Sequence, residues 1–250
     1  MSESILKALM QLFAIIAASK AQAEQNNIVE TFLRHELSSE LVDEYMNVYT
    51  GFYNQYRGKQ TNDSKKKKAL SVSSTKILVI CNVINKELVQ RQKIIVLVRL
   101  LEFISTDRDD EVSQQELEFV ETVAQNIFIP DEEYRAILDF VFNSSHTLPQ
   151  GDNILVVDHN HAAPNDQTKH IYSENLSGKI IFFSVKSVNM YLFVFQDIKE
   201  LILNGQVLNP NRVHVLSAGS SIRGGKIKPI YYSDIVSTYN FDKTKANIVF

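Results

Sequence analysis

The 250-residue chain has room for one large domain or two of ordinary size. Its 44% hydrophobic and 22% charged content is globular usage and excludes wholesale disorder. A net charge of −3 argues against a general nucleic-acid or anionic-membrane binder. The single cysteine, Cys81, leaves no intrachain disulfide to form and suits a reducing, cytoplasmic compartment.

The N-terminal stretch 5–18 is apolar, and Ala21-Gln22-Ala23 has the small-x-small form of a signal-peptidase site. Glu3 and Gln11 interrupt that pattern, and the run is too short to span a membrane. Ile5, Leu9, Leu12, Phe13 and Ile16 fall on one helical face, so an amphipathic core helix over 5–21 is the favoured reading and a cleaved secretory signal the alternative. A second helix is predicted over 25–36, and a third starts at Ser38-Ser39-Glu40, where serine ahead of an acidic residue marks a helix start. Residues 57–75 have no aliphatic run and carry the block Lys65–Lys68, which predicts an exposed loop. Helices resume over 73–85 and 86–106. Cys81 sits in the first of them within an apolar run and reads as a buried small hydrophobe.

Ile94–Ile104 is apolar on nearly every helical face, which requires other helices around it. It ends at the acidic turn Asp107-Arg108-Asp109-Asp110-Glu111. Ser113 with Glu116 three residues on is a capping box, opening a helix over 113–128, and Pro130-Asp131-Glu132-Glu133 opens another that ends near Phe142. The Val29-Glu30-Thr31 and Val120-Glu121-Thr122 segments sit in similar helix–turn–helix contexts roughly 90 residues apart, which suggests a pseudo-symmetric bundle.

Residues 143–151 are a linker by composition. Beyond them short β-rich runs at 154–157, 180–185, 191–195, 201–203, 213–216 and 230–232 alternate with turn residues. Asn204-Gly205 between two apolar arms predicts a tight hairpin, because both residues tolerate positive φ. The expected architecture is α+β in two domains: an all-α helical bundle over 1–142, a linker over 143–152, an all-β sandwich over 153–240 and a tail over 241–250.

Three constellations bear on chemistry. Asp107, Asp109, Glu111 and Glu116 offer hard oxygen ligands for a divalent cation such as Ca²⁺ or Mg²⁺, although the same residues also suit a helix N-terminus with no metal. His159, His161 and His170, with Asp158, Asn160 and Asp166, gather three of the six histidines in one segment, where Zn²⁺ or Ni²⁺ ligation competes with a plain exposed loop. Gly219-Ser220-Ser221-Ile222-Arg223-Gly224-Gly225-Lys226 fails the phosphate-loop pattern, since an extra glycine precedes the lysine and Ile227 follows it; it reads as a β-turn. No nucleophile-elbow motif or paired metal-ligand spacing is present, so no catalytic residues are assigned.

Leu100-Leu101-Glu102-Phe103-Ile104, the acidic turn, Glu111–Phe119 and Ile129-Pro130-Asp131-Glu132-Glu133 resemble the TerB-like tellurite-resistance family. That resemblance implies an all-helical bundle with two similar halves and an acidic, metal-binding surface. The usual Asp-Gly turn is missing, since Asp109-Asp110 lacks the glycine. The second half resembles a degenerate forkhead-associated (FHA) domain through Gly178-Lys179, Ser187-Val188-Asn189-Met190 and Asn204-Gly205. The resemblance implies an anion or phosphopeptide site at Lys179, Ser187 and Asn204, weakened because lysine cannot grip phosphate with arginine's bidentate fork. Together with Asn211–Leu216 and Ile230–Ile235, the pair looks like the N-terminal region of a Bacteroidetes ABC-transporter-type ATPase. The implied role is a non-catalytic regulatory or docking region, with the tail leading toward an ATPase domain. Its partners are expected to be proteins, namely membrane-transport or ATPase domains, met in the cytoplasm or at the inner face of the membrane. A metal-responsive stress protein and a phosphopeptide-binding module are the alternatives.

Overall fold

The computed structural model describes residues 3–20, 25–60, 66–105, 112–143, 151–165, 168–196 and 200–245. The chain divides into two compact units, Met1–Leu138 and Asp139–Phe250. Among the described residues no helix is long and apolar enough to cross a membrane.

The first unit is helical: α1 (Glu3–Lys20), α2 (Gln25–Glu36), α3 (Ser39–Gln60), α4 (Lys66–Glu87), α5 (Gln90–Ser105), α6 (Gln114–Asn126) and the first part of α7 (Asp131–Asn143). The apolar periodicity of the first segment does make a core helix. It is buried more widely than a single stripe, with Leu9, Met10, Leu12, Phe13, Ala14 and Ala17 all inaccessible, and it packs on α3, α4 and α5. Phe13 stacks on Phe103 of α5 at 4.2 Å between ring centroids and meets Phe32 of α2 edge-on at 5.3 Å. Burying a side chain of this size contributes roughly 1.5–3 kcal/mol.

In α5, Ile94, Val96, Leu97, Val98, Leu100, Leu101, Phe103 and Ile104 are all buried, as the helix without a polar face requires. The capping box at α6 forms as its spacing dictates. The Glu116 amide donates to Ser113 Oγ at 3.3 Å, and the Ser113 amide donates to Glu116 Oε2 at 3.0 Å.

The expected loop over 57–75 is mostly helix. α3 continues to Gln60 and α4 begins at Lys66, so only 61–65 lie outside the described residues. Lysine and alanine are good helix formers, and Lys66–Ala69 extends the helix that Ile77, Ile80, Cys81 and Ile84 anchor in the core. The break between the next two helices falls at Leu88-Val89 rather than at Asn85-Lys86.

The second unit holds two sheets and a helix. The first sheet has the order β2-β1-β3-β4-β7, from β1 (Ile154–Asp158), β2 (Lys169–Tyr172), β3 (Lys179–Val185), β4 (Met190–Gln196) and β7 (His214–Leu216). The β1–β2 pair is parallel and the other pairs antiparallel. The second sheet is antiparallel, in the order β6-β5-β8-β9, from β5 (Ile202–Leu203), β6 (Gln206–Val207), β8 (Ser221–Arg223) and β9 (Ile230–Tyr231). Asn204 and Gly205 turn β5 into β6 with φ of 51° and 89°, the two positive values a tight hairpin needs. Leu155, Val157, Phe182 and Phe193 of the first sheet share one core with Ile222 and Ile230 of the second. The alternate residues Val156, Ile181, Phe183 and Leu192 are buried as well, so β1, β3 and β4 are covered on both faces. Phe140, which belongs to this unit, stacks on Phe183 at 5.1 Å.

The all-β expectation for this half is corrected by α8 (Tyr232–Lys245), which replaces the end of the predicted sandwich and reaches into the predicted tail. Ile235 and Tyr239, one helical turn apart, enter the shared core. The Tyr239 hydroxyl is placed to donate to the carbonyls of Asn153 and Phe182, at 3.0 and 3.1 Å. Asp234 accepts the Tyr231 amide at 3.2 Å and so stabilises the start of the helix. This second half is therefore α+β rather than all-β. Residues 246–250, the end of the expected tail, lie outside the described residues.

Candidate docking site

At the end of α6 the chain has to stop before Pro130, and it does so without a glycine. The Phe128 amide donates to the Gln125 carbonyl at 3.2 Å and the Ile129 amide to the Ala124 carbonyl at 3.0 Å. This paired closure is the Schellman arrangement, whose left-handed position ordinarily belongs to glycine. Here that position is Phe128, with φ of 62°. Among the described residues the other non-glycine positions with positive φ are four asparagines, Asn175, Asn189, Asn204 and Asn211. Asparagine enters this region readily, whereas a bulky side chain is an outlier there.

The neighbours Ile127 and Ile129 are buried, while Phe128 is 70% exposed. Its carbonyl accepts the Gln90 side chain at 3.2 Å, and the Asn126 carbonyl accepts Asn85 Nδ2 at 2.8 Å. These bonds tie the α4–α5 turn to the end of α6. Val89 in that turn is 66% exposed, and its amide donates to Gln92 Oε1 at 3.0 Å. Lys93, one turn into α5, is only 7% exposed, and its Nζ lies 5.5 Å from the Phe128 ring centroid. The Lys93 ammonium and the exposed Phe128 ring thus meet beside the α4–α5 turn that carries the exposed Val89. α4 also leaves Leu78, Val79 and Val83 exposed. The sequence reading missed Phe128. The usable signal was a helix ending ahead of proline with no glycine or asparagine at the left-handed position.

The residues singled out by sequence are placed as follows. Asp107, Asp109 and Glu111 lie outside the described residues. Glu116 is buried, and its carboxylate accepts both the amide and the hydroxyl of Ser113, the hydroxyl at 2.7 Å. Lys179 and Ser187 flank opposite ends of β3, whose seven residues span about 20 Å at the usual rise, so the strand holds them apart. Asn204 Oδ1 accepts the Ser221 amide at 3.2 Å, and its Nδ2 donates to Ser220 Oγ at 3.0 Å, bracing the hairpin against β8.

The histidine segment includes a strand that the sequence reading missed, β2. His170 on that strand is 2.9 Å from Asp158 Oδ1, and both side chains are largely buried. Asn160 adds its amide at 2.8 Å and Nδ2 at 3.0 Å to the same carboxylate. Burial pushes the Asp158 carboxyl up, but the bonds from His170 and Asn160 outweigh it and hold the group below its usual value. His161 stacks on Tyr172 at 4.4 Å and His159 is exposed; Asp166 lies outside the described residues. Among the described residues no three histidine, cysteine or acidic side chains gather for a metal ion. The Asp158–His170 pair fastens the edge strand β2 to β1.

The glycine-rich segment is strand β8 followed by a turn closed by the Ile227 amide on the Gly224 carbonyl at 3.2 Å. A cleft of about 380 Å³ lies there, lined by Asn175, Glu200, Leu201 and residues 224–227. No protein-family model, curated protein or solved structure matches this chain.

Proposed function

We propose that the chain is a non-catalytic docking region of an ABC-transporter-type ATP-binding protein, and that it docks through the end of the helical unit that carries Phe128 and the adjoining α4–α5 turn with Val89. Phe128 carries this reading. A non-glycine residue in the left-handed region costs of order 1–3 kcal/mol, and such strain clusters at binding and switch sites. Here the strain coincides with an aromatic ring that is 70% exposed and so recovers little of its burial energy in the free chain. A partner that covers the ring recovers it, and buried aromatic anchors carry much of the energy of protein interfaces. The ATPase context rests on the TerB-like and FHA-like motifs; the docking itself rests on the geometry of residues 85–93 and 124–129.

Replacing Val89 with the photo-crosslinking residue p-benzoylphenylalanine leaves Phe128 in place and tests both parts in the source cell. Crosslinks to an ABC-type ATP-binding or transport domain, lost in a Phe128→Gly background, are the expected result. Crosslinks to unrelated proteins, or crosslinks indifferent to Phe128, refute the proposal.

A further inference from the structure

Resting on that docking reading, we infer that the Phe128 site takes a partner segment in which a single carboxylate stands beside a large apolar side chain. The apolar group meets Phe128 and Val89, and the carboxylate meets Lys93. Lys93 of α5 is buried, and its ammonium lies beside the largely exposed Phe128 ring, 5.5 Å from the centroid. A cation held against a ring face gains about 0.5–1 kcal/mol at an exposed site, far less than a carboxylate offers at close range. Covering the ring also removes water from the ammonium, which strengthens its attraction to a carboxylate. The apolar and charged contacts therefore favour one ligand that carries both groups.

The surrounding charges limit the number of acidic groups. Asp131, Glu132 and Glu133 open α7 three residues beyond Phe128, and Glu87 lies two residues before Val89. Lys86 and Arg91 are the other basic residues of the α4–α5 turn. These segments carry four acidic side chains, Glu87, Asp131, Glu132 and Glu133, against the three basic ones Lys86, Arg91 and Lys93, so acidic groups beyond the one that pairs with Lys93 meet an excess of like charge. Gln90 and Gln92 are already engaged, with the Phe128 carbonyl and the Val89 amide. The charged group left at the ring is Lys93, so charge sets the preference at this site.

The test uses the full chain and a bacterial-display library of random 12-residue peptides, counter-selected on Phe128→Gly. Enriched peptides are expected to pair one Asp or Glu with a neighbouring Leu, Ile, Phe or Met. With a fluorescein-labelled winner in fluorescence polarisation, Phe128→Gly should weaken binding at least about thirtyfold. Lys93→Met, which keeps the buried stem, should weaken it about tenfold. Changing the peptide's carboxylate to its amide should cost the same factor and add nothing on the Lys93→Met chain. Phe128-dependent peptides that ignore both Lys93→Met and the amide change overturn the carboxylate assignment and leave the docking reading standing. If no peptides depend on Phe128, both fall.

Discussion

Replacing Phe128 with glycine should separate stability from binding. For an ordinary buried phenylalanine, loss of the ring costs about 3–5 kcal/mol. At position 128 the terms differ. The left-handed backbone, φ 62°, strains any L side chain by about 1–2 kcal/mol, which glycine relieves. Glycine loses about 0.5–1 kcal/mol through the added freedom of the unfolded chain. The exposed ring and its contact with Lys93 contribute roughly another 0.5–1 kcal/mol. The sum is close to zero, so Phe128→Gly should unfold in urea within about 1 kcal/mol of the parent. Phe128→Ala removes the ring but keeps the strain, and it should be less stable than Phe128→Gly by about 1 kcal/mol. Circular dichroism at 222 nm follows the helical unit in both titrations. A loss above about 2 kcal/mol for glycine would show that the ring serves the fold, and an alanine variant at least as stable as the glycine one would show that position 128 carries no such strain.

Other outcomes follow from single contacts. Tyr239→Phe leaves the Asn153 and Phe182 carbonyls without the hydroxyl that joins α8 to the sheet, and should cost about 1–3 kcal/mol in thermal unfolding of the second unit. Asp158 has a depressed carboxyl value in the folded chain, so its stabilising effect is present above the ordinary value of 3.8 and is lost as pH falls through the lower folded value. Acid titration should show this step, and Asp158→Asn should remove it; an unchanged acid profile would count against the buried pair. Burial pushes the Cys81 thiol up to about 12, so iodoacetamide at pH 8 should label it only as fast as the helical unit opens. Labelling at the rate of a free thiol would contradict the packing of α4.

Local chemistry was legible wherever two neighbouring residues settle the matter. Ser113 and Glu116 close their own helix start, and Asn204-Gly205 makes its own turn, because both interactions lie within four residues. The helical character of Gln90–Ser105 followed from its apolar run in the same way. The lysine block from Lys66 misled for the opposite reason, and the strand expected over 230–232 ended one residue early, at Tyr231, because Tyr232 already belongs to α8. The helix through the lysines is anchored by the burial of Ile77 and Ile80 further along α4, and α8 is fixed by the burial of Ile235 and Tyr239, neither of which the local composition announces. Asp158 and His170 were grouped by sequence as possible metal ligands, but that they bond to each other was not legible, since they meet only once β1 and β2 lie side by side.

Composition and spacing were enough to establish the helical half, the change of period beyond it and the caps and turns, since those depend on contacts between near neighbours. The helix that completes the second core, the Asp158–His170 clasp and the exposure of Phe128 were decided by folding. Each depends on which distant segment occupies the space beside a residue, and a side chain's surroundings are not written in its neighbours along the chain.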